Sequence, residues 1–298
     1  MPSSSLASRS IPPLGQLNHL FDNEKNCINF LIDKGVFQRE SPCESCGELM
    51  ILREDKWLFR CQKNECSVSS SIRKGSFFYG HKIKCSKILH LAYMWLNNLP
   101  TKSIIQMSGM SSKTVCAFLN YFRQLVSDAV EIEDVTIGGE GIIVEIDETK
   151  LGKRKYNRGH RVDGVWVLGG VERTPERKVF LVEVKDRKAD LLLHVIKKHV
   201  LPGSIIHTDL WKGYNSLATS NEYQHFTVNH SKNYKDPLTG THTNTIEGTW
   251  NGLKMQIKPR NRSREFIEEY MWEFIWRRRN RDRLWDGFIE ALKEVYYE

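Results

Sequence analysis

No stretch of this 298-residue chain approaches the roughly 18 consecutive apolar residues that a membrane-spanning helix needs, so no transmembrane segment is expected. The opening segment from Met1 to Leu14 is rich in Ser and Pro and lacks the apolar core of a signal peptide. It reads as a short flexible leader, which argues against secretion. No internal repeat is present, which removes the repeat architectures. Acids are the scarcer charge: 36 Asp and Glu face 44 Lys and Arg, for a net charge of +8 and an isoelectric point near 9.0. That balance favours a polyanionic partner.

What is there describes a folded protein of more than one domain. Apolar residues make up 40% of the chain and the charges are dispersed, and 298 residues exceed what a single core usually organises. The basic residues gather in three places: Lys153, Arg154, Lys155, Arg158 and Arg161; Lys258 to Arg264; and Arg277 to Arg283. Each alone reads equally well as a solvated face. Three around one candidate site favour nucleic acid.

Elements follow from periodicity and stop signals. A helix is expected over Asn18 to Lys34, ended by Gly35. Residues Ser41 to Gly75 switch to short strand-like pieces, Leu49 to Leu52 and Trp57 to Arg60, with cysteines at the turns. Helices are expected over Lys87 to Leu99, Thr101 to Met107 and Ser112 to Val126, broken at Ser108-Gly109. A short helix, a glycine turn and a longer helix make a helix-turn-helix candidate. Its recognition helix would start at Ser111, Ser112 and Lys113, and a plain helical linker is the alternative. After Gly138 to Gly141 come three strands, Ile142 to Thr149, Val165 to Glu172 and Lys178 to Lys185. Then follow a helix at Ala189 to Val200, a strand at Ser204 to Thr208, a helix at about Leu210 to Ala218 and a strand at Phe226 to His230. Helices Phe266 to Trp276 and Leu284 to Val295 close a helical tail that opens at Thr245. That order is the order of a ribonuclease H-like domain. The expected organisation is an α+β multidomain chain: a leader and helix over 1–40, a zinc ribbon over 41–80, a helix-turn-helix over 86–130, and a ribonuclease H-like α/β catalytic domain with a helical carboxyl-terminal tail over 140–298.

Four of the seven cysteines form a pattern, Cys43-x-x-Cys46 and Cys61-x4-Cys66, which suits one structural Zn²⁺ held by four thiolates. Two disulfides are the competing reading, and nothing suggests an oxidising compartment. The second pair is wider than the usual knuckle, which leaves Cys66 the weakest ligand. Cys27, Cys85 and Cys116 are expected as core thiols.

Three acids are placed where phosphoryl-transfer chemistry can use them. Asp147 lies on the first strand, where Glu145 and Asp147 face away from Val144 and Ile146, so its side chain can leave the core. Asp209 ends an apolar strand, where open sheets place their ligands. Glu247 lies near a helix start, where acids are favoured. Two Mg²⁺ or Mn²⁺ ions held by such acids could activate an attacking oxygen and steady a leaving one. Glu145, Glu148, His207 and Asn244 either assist the metals or satisfy local hydrogen bonds. His230 is structural or touches a phosphate. Lys254, two turns beyond Glu247 on one helix face, either contacts DNA or is merely solvated. Trp250 on that face reads as packing.

The stretches Val144-Glu145-Ile146-Asp147-Glu148-Thr149, His207-Thr208-Asp209 with Gly213-Tyr214, Asn229-His230-Ser231, and Thr243-Asn244-Thr245-Ile246-Glu247 with Trp250 and Lys254 carry a resemblance. From about Cys43 to Arg283 the chain resembles the Merlin superfamily of DNA transposons and its bacterial insertion-sequence relatives. The resemblance implies a DDE triad at Asp147, Asp209 and Glu247, cut-and-paste transposition between terminal inverted repeats, and double-stranded DNA as partner. Because two ends must be joined, a homodimer or larger assembly is expected, in the nucleus of a eukaryotic host or the cytoplasm of a bacterial one. A domesticated relative that only binds DNA, and a ribonuclease H-like nuclease without strand transfer, are the rivals.

Overall fold

The computed structural model describes residues 10–131, 135–152, 164–229 and 234–296. The chain forms two compact units, one of residues 1–129 with 280–298 and one of residues 130–279.

The first unit opens with α1 (Leu14–Asp22) and α2 (Glu24–Asp33), where one continuous helix was expected. The break has a local cause. Asn23 is extended, and its side chain accepts a hydrogen bond from the Asn26 N–H, so it caps α2 and ends α1. Four short strands follow, β1 (Glu40–Pro42), β2 (Leu49–Arg53), β3 (Leu58–Arg60) and β4 (Ser69–Ser71), an antiparallel meander in chain order. Next come α3 (Cys85–Leu96), α4 (Thr101–Ser108) and α5 (Ser112–Glu131), with Gly109 in the left-handed region between the last two. Apolar positions Val115, Phe118, Leu119, Phe122 and Val126 bury one face of α5. Ser111 caps that helix through the Thr114 N–H, and it stays exposed together with Ser112 and Lys113. Cys27 and Cys85 are core thiols as expected, whereas Cys116 is exposed because it falls on the polar face of α5. The last helix, α9 (Leu284–Glu294), belongs to this unit: Trp285 and Phe288 are buried among Phe21, Tyr93, Trp95 and Phe122. The expected organisation places that helix in the tail of the 140–298 domain, whereas its contacts put it in the first unit. The difference arises because periodicity locates an amphipathic face without naming its partner.

The second unit is built on a five-stranded sheet of β6 (Ile143–Leu151), β7 (Val165–Glu172), β8 (Val179–Val184), β10 (Ile205–Asp209) and β11 (Gln224–Val228). Their spatial order is β11-β10-β6-β7-β8. β6, β7 and β8 run antiparallel, and β10 and β11 run parallel to β6. A two-residue parallel pair, β5 (Ile137–Gly138) with β9 (Val200–Leu201), stands beside it. The region expected as a helix after β10 is instead a 3₁₀ segment, Lys212–Thr219. β7 is buried on both faces, which explains its nearly unbroken apolar sequence. Gly169 and Gly170 on it admit close neighbours: a Cβ at Gly169 would lie 2.5 Å from the Trp250 ring, and one at Gly170 would lie 2.4 Å from the Phe180 ring. One face of the sheet carries α7 (Asn244–Gln256) and α8 (Ile267–Arg279), and α6 (Ala189–His199) brings His199 to stack on Phe180 at the other.

Candidate active site and metal centre

Asp147 and Asp209 meet through the register of two parallel strands. β10 pairs with β6 as Ile205–Ile143, Ile206–Val144 and His207–Glu145, so each aspartate stands two residues beyond the last of these pairs. Asp147 is opposite Gly169 on β7. The missing Cβ there lets the Trp250 indole lie over the strand, and Trp250 Nε1 donates to Asp147 Oδ2 at 2.9 Å. Glu247 is three residues before Trp250 on α7, on the same side of the helix and exposed. The acids lie at one end of the sheet but are not drawn into a tight cluster. Among the described residues, three or more metal-ligating atoms come within 4.8 Å of one another at the four cysteines.

Asp147, expected to leave the core, is partly exposed, whereas Glu145 on the same face of β6 is buried beneath α7. Glu145 is fully buried, and its carboxylate accepts from the Thr245 N–H at 2.7 Å, the Ile246 N–H at 3.0 Å and the Thr245 hydroxyl at 2.9 Å. It also pairs with Arg173 Nε at 2.5 Å. Glu145 therefore satisfies the first N–H groups of the helix that carries Glu247 and fixes that helix on the strand that carries Asp147.

Electrostatics mark the same spot. Burial, followed by the neighbouring Glu148 carboxylate, pushes Asp147 up to about 7. Glu148 is also raised, by burial first, and Asp209 adds to the effect. One oxygen of Glu148 accepts from Tyr214 at 2.6 Å, while the other is buried without a hydrogen-bond partner, 3.7 Å from Arg187. Crowded buried carboxylates with an orphaned oxygen fit a divalent cation, which would relieve their repulsion. Asp209 accepts from the Trp211 N–H at 2.9 Å. Arg187 lies between the rings of Trp166 and Trp211, 4.3 and 4.4 Å from their centroids. This Arg–Trp stack and Tyr214 were missed as site residues. Only the Gly213-Tyr214 match pointed towards them.

The remaining candidates separate. His207 is buried, held down to about 4 by burial and by nearby Arg173, so it stays neutral. Asn244 opens α7 beside Glu145's partners. Lys254 is half-buried, and Asp147 is among the charges acting on it. Trp250 packs, as expected, and also donates to Asp147. The basic residues Lys153, Arg154, Lys155, Arg158 and Arg161, and His230, lie outside the described residues.

In the first unit the loops before β2 and after β3 bring Cys43, Cys46, Cys61 and Cys66 together. Cys43 and Cys66 sulfurs are 3.5 Å apart, as are those of Cys46 and Cys61. A tetrahedron with Zn–S bonds of about 2.3 Å has edges of about 3.8 Å, so the donor set fits Zn²⁺. Backbone N–H groups of Cys46 and Ser45 hold the Cys43 thiol down at about 7, while Cys61, despite the Lys63 backbone N–H, is pushed up to about 12 by burial and the other three sulfurs, so in the metal-free cluster the four thiols do not ionise together.

Residues 125–279, just over half of the chain, match the ISXO2-like transposase domain. Over 81 residues the chain is 33% identical to an uncharacterized transposase-like protein of Haemophilus influenzae, a stretch that is 27% of this chain and 63% of that relative. The matched region contains Asp147, Asp209, Glu247 and every strand of the five-stranded sheet, and on that match the chain belongs to the ISXO2-like transposase family.

Proposed function

We propose that this protein is a cut-and-paste DNA transposase, related to the Merlin superfamily, whose second unit is a ribonuclease H-like catalytic domain. The observation that supports the reading is the equivalent register of Asp147 and Asp209 on adjacent parallel strands, with the Asp209 charge acting on Asp147 and with α7, the helix that carries Glu247, packed on β6. The sheet order, with three antiparallel strands extended by two parallel ones on the far side of the first, supports the fold assignment.

Asp147, Asp209 and Glu247 would hold Mg²⁺ or Mn²⁺, with Glu148 close enough to share the charge. When bound, two such ions supply activation of the attacking oxygen and stabilisation of the leaving one. Glu145 keeps α7 in place, Trp250 orients Asp147, and Lys254 neutralises phosphate beside the scissile bond. Water then attacks a phosphodiester at the transposon end, freeing a 3′-hydroxyl that attacks target DNA, and no covalent protein intermediate is needed. The four cysteines would form a zinc ribbon. With the α4–α5 pair as a helix-turn-helix presenting Ser111, Ser112 and Lys113, they would read the terminal inverted repeats. The basic residues Lys153 to Arg161 would track the backbone. Joining two ends calls for a homodimer or larger assembly.

The test incubates the full chain with Mg²⁺ or Mn²⁺, a labelled element end and a target plasmid, beside Asp147→Ala. The expected result is cleavage followed by joined products for the wild type, and loss of both by at least two orders of magnitude in the variant. Binding without cutting or joining sinks the enzymatic reading in favour of a DNA-binding relative. Cutting of branched DNA without joining favours a ribonuclease H-like nuclease.

A further inference from the structure

On the side of α7 turned away from Trp250 there is a cleft of about 360 Å³ lined by Arg177, Asn244, Thr245, Gly248, Thr249 and Arg278. At 100° per residue, Thr245, Gly248 and Thr249 lie about 100° or more around the helix from Glu247, Trp250 and Lys254, and Asn244, about 60° from Glu247, stands at the border between the two sides. The cleft therefore borders the acidic site along a shared helix, and none of the acids lines it. Two of its six lining residues are arginines and none is an acid.

Both arginines are positioned by specific contacts. Arg278 Nε donates to the Arg177 carbonyl at 3.0 Å, and its Nη1 donates to the Thr249 hydroxyl at 3.4 Å. Arg177 sits in the left-handed region at φ 50°, where the Cβ of any residue but glycine crowds the backbone, and the Thr174 hydroxyl braces it by accepting its N–H. That strained turn between β7 and β8 is what aims the Arg177 carbonyl at Arg278 and leaves the Arg177 side chain exposed. The first N–H groups of α7 are already taken by Glu145, so the positive character of the cleft comes from the guanidiniums. A Cβ built on Gly248 meets nothing within 4 Å, so the floor of the cleft is open helix backbone to which a ligand can come close. The Thr245 and Thr249 hydroxyls already donate, to Glu145 and to the Thr245 carbonyl, so the donor set for tetrahedral phosphate oxygens is the two guanidiniums and the Asn244 amide.

We propose that this cleft binds a backbone phosphodiester of duplex DNA, as a second contact that holds the nucleic acid across α7 while Glu247 works on the neighbouring face. The proposal rests on the transposase reading and adds a contact that the candidate DNA-binding residues Ser111, Ser112, Lys113, Lys153 to Arg161 and Lys254 do not include.

The experiment measures binding of the full chain to a short fluorescein-labelled duplex across a potassium chloride series, by anisotropy, without divalent metal. Arg177→Gln is expected to weaken binding roughly fivefold at physiological salt and to lower the salt slope by about 0.9, the loss of one phosphate contact. Arg177→Lys should keep the slope. Gly248→Glu puts a carboxylate in open space on a helix, a change that favours folding, and should weaken binding at least as much as Arg177→Gln, whereas Gly248→Ala should not. Melting curves of each variant show that the fold is kept. If Arg177→Gln and Gly248→Glu bind with wild-type affinity and slope, the cleft is not a DNA contact although the transposase reading stands. If the wild type binds no duplex, the reading itself fails and takes this proposal with it.

Discussion

Glu145 and Asp147 are two residues apart on one strand, point the same way, and have opposite electrostatic situations. Glu145 is surrounded by donors, three from the start of α7 and one from Arg173, so its charge is compensated although it is fully buried. Asp147 has the indole N–H, the Glu148 backbone N–H and two acidic neighbours, so burial still costs its ionised form dearly. The sign of the consequence can be worked out. In the unfolded chain Asp147 ionises near 3.8, and in the metal-free fold near 7. Between those values the unfolded state has released a proton that the folded state keeps, so stability falls as pH rises, by a few kcal/mol at most, and levels off above about 7. His207 acts in the opposite sense, since its depressed value of about 4 costs stability as pH falls below the usual 6.5. The informative quantity is therefore the difference between wild type and Asp147→Asn. In chelator, the wild type should lose stability relative to the variant from pH 5 to pH 8, and Mn²⁺ should restore it at pH 8 but not at pH 5. A difference that stays constant with pH would refute the strained carboxylate. The alternation of β6 was legible in the sequence, and so was Asp147 itself. The partners of Glu145 were not, because Thr245 and Ile246 are a hundred residues away and no local pattern encodes that meeting.

Among the elements, legibility depended on how much of each was decided locally. β7 was bounded correctly because its continuous apolar run between turns can be little else. The first helix was read as one because apolar spacing runs on through Asn23, and a single side-chain cap divided it. The segment after β10 was read as an α-helix but winds as 3₁₀, with Tyr214 placed to donate to Glu148. The small meander β1 to β4 is the element that most needs outside help. Its strands are three to five residues long and bury little beyond Met50 and Phe59. A tetrathiolate metal contributes on the order of 10 kcal/mol to such a module, more than that apolar area can supply. The purified chain should therefore carry one zinc. Chelation, or Cys61→Ser, should release the metal and open amide exchange across Glu40–Ser71 while the amides of the five-stranded sheet stay protected. Retention of exchange protection in β1 to β4 after complete zinc loss would show that the metal is dispensable for this fold.

At the scale of the whole molecule, the chain leaves its first unit at residue 129, builds the second through residue 279, and returns to the first for its last helix. The first unit is thus discontinuous in sequence, and the reason is apolar. Trp285 is 6.4 Å from Phe21, 6.3 Å from Phe30 and 6.1 Å from Tyr93 between ring centroids, and Phe288 is 5.5 Å from Phe122 and 6.0 Å from Trp95. The backbone is tied as well, with the Trp285 N–H donating to the Ser10 carbonyl at 3.0 Å. Removing either aromatic side chain should cost about 3–5 kcal/mol, since each is buried among rings that cannot close over the space. A chain that stops after Arg279 loses both, a deficit comparable to the whole stability of a domain. These ring contacts of Trp285 and Phe288 fall on residues of the first unit. Truncation after Arg279, and Trp285→Ala in milder form, should therefore lower the melting of the first unit. This can be followed by amide exchange of α1 to α3 and by protease cleavage within residues 10–129, while the five-stranded sheet keeps its protection. Equal loss of protection in both units would mean that α9 supports the molecule as a whole, and unchanged protection in α1 to α3 would mean that the aromatic cluster contributes far less than its burial implies.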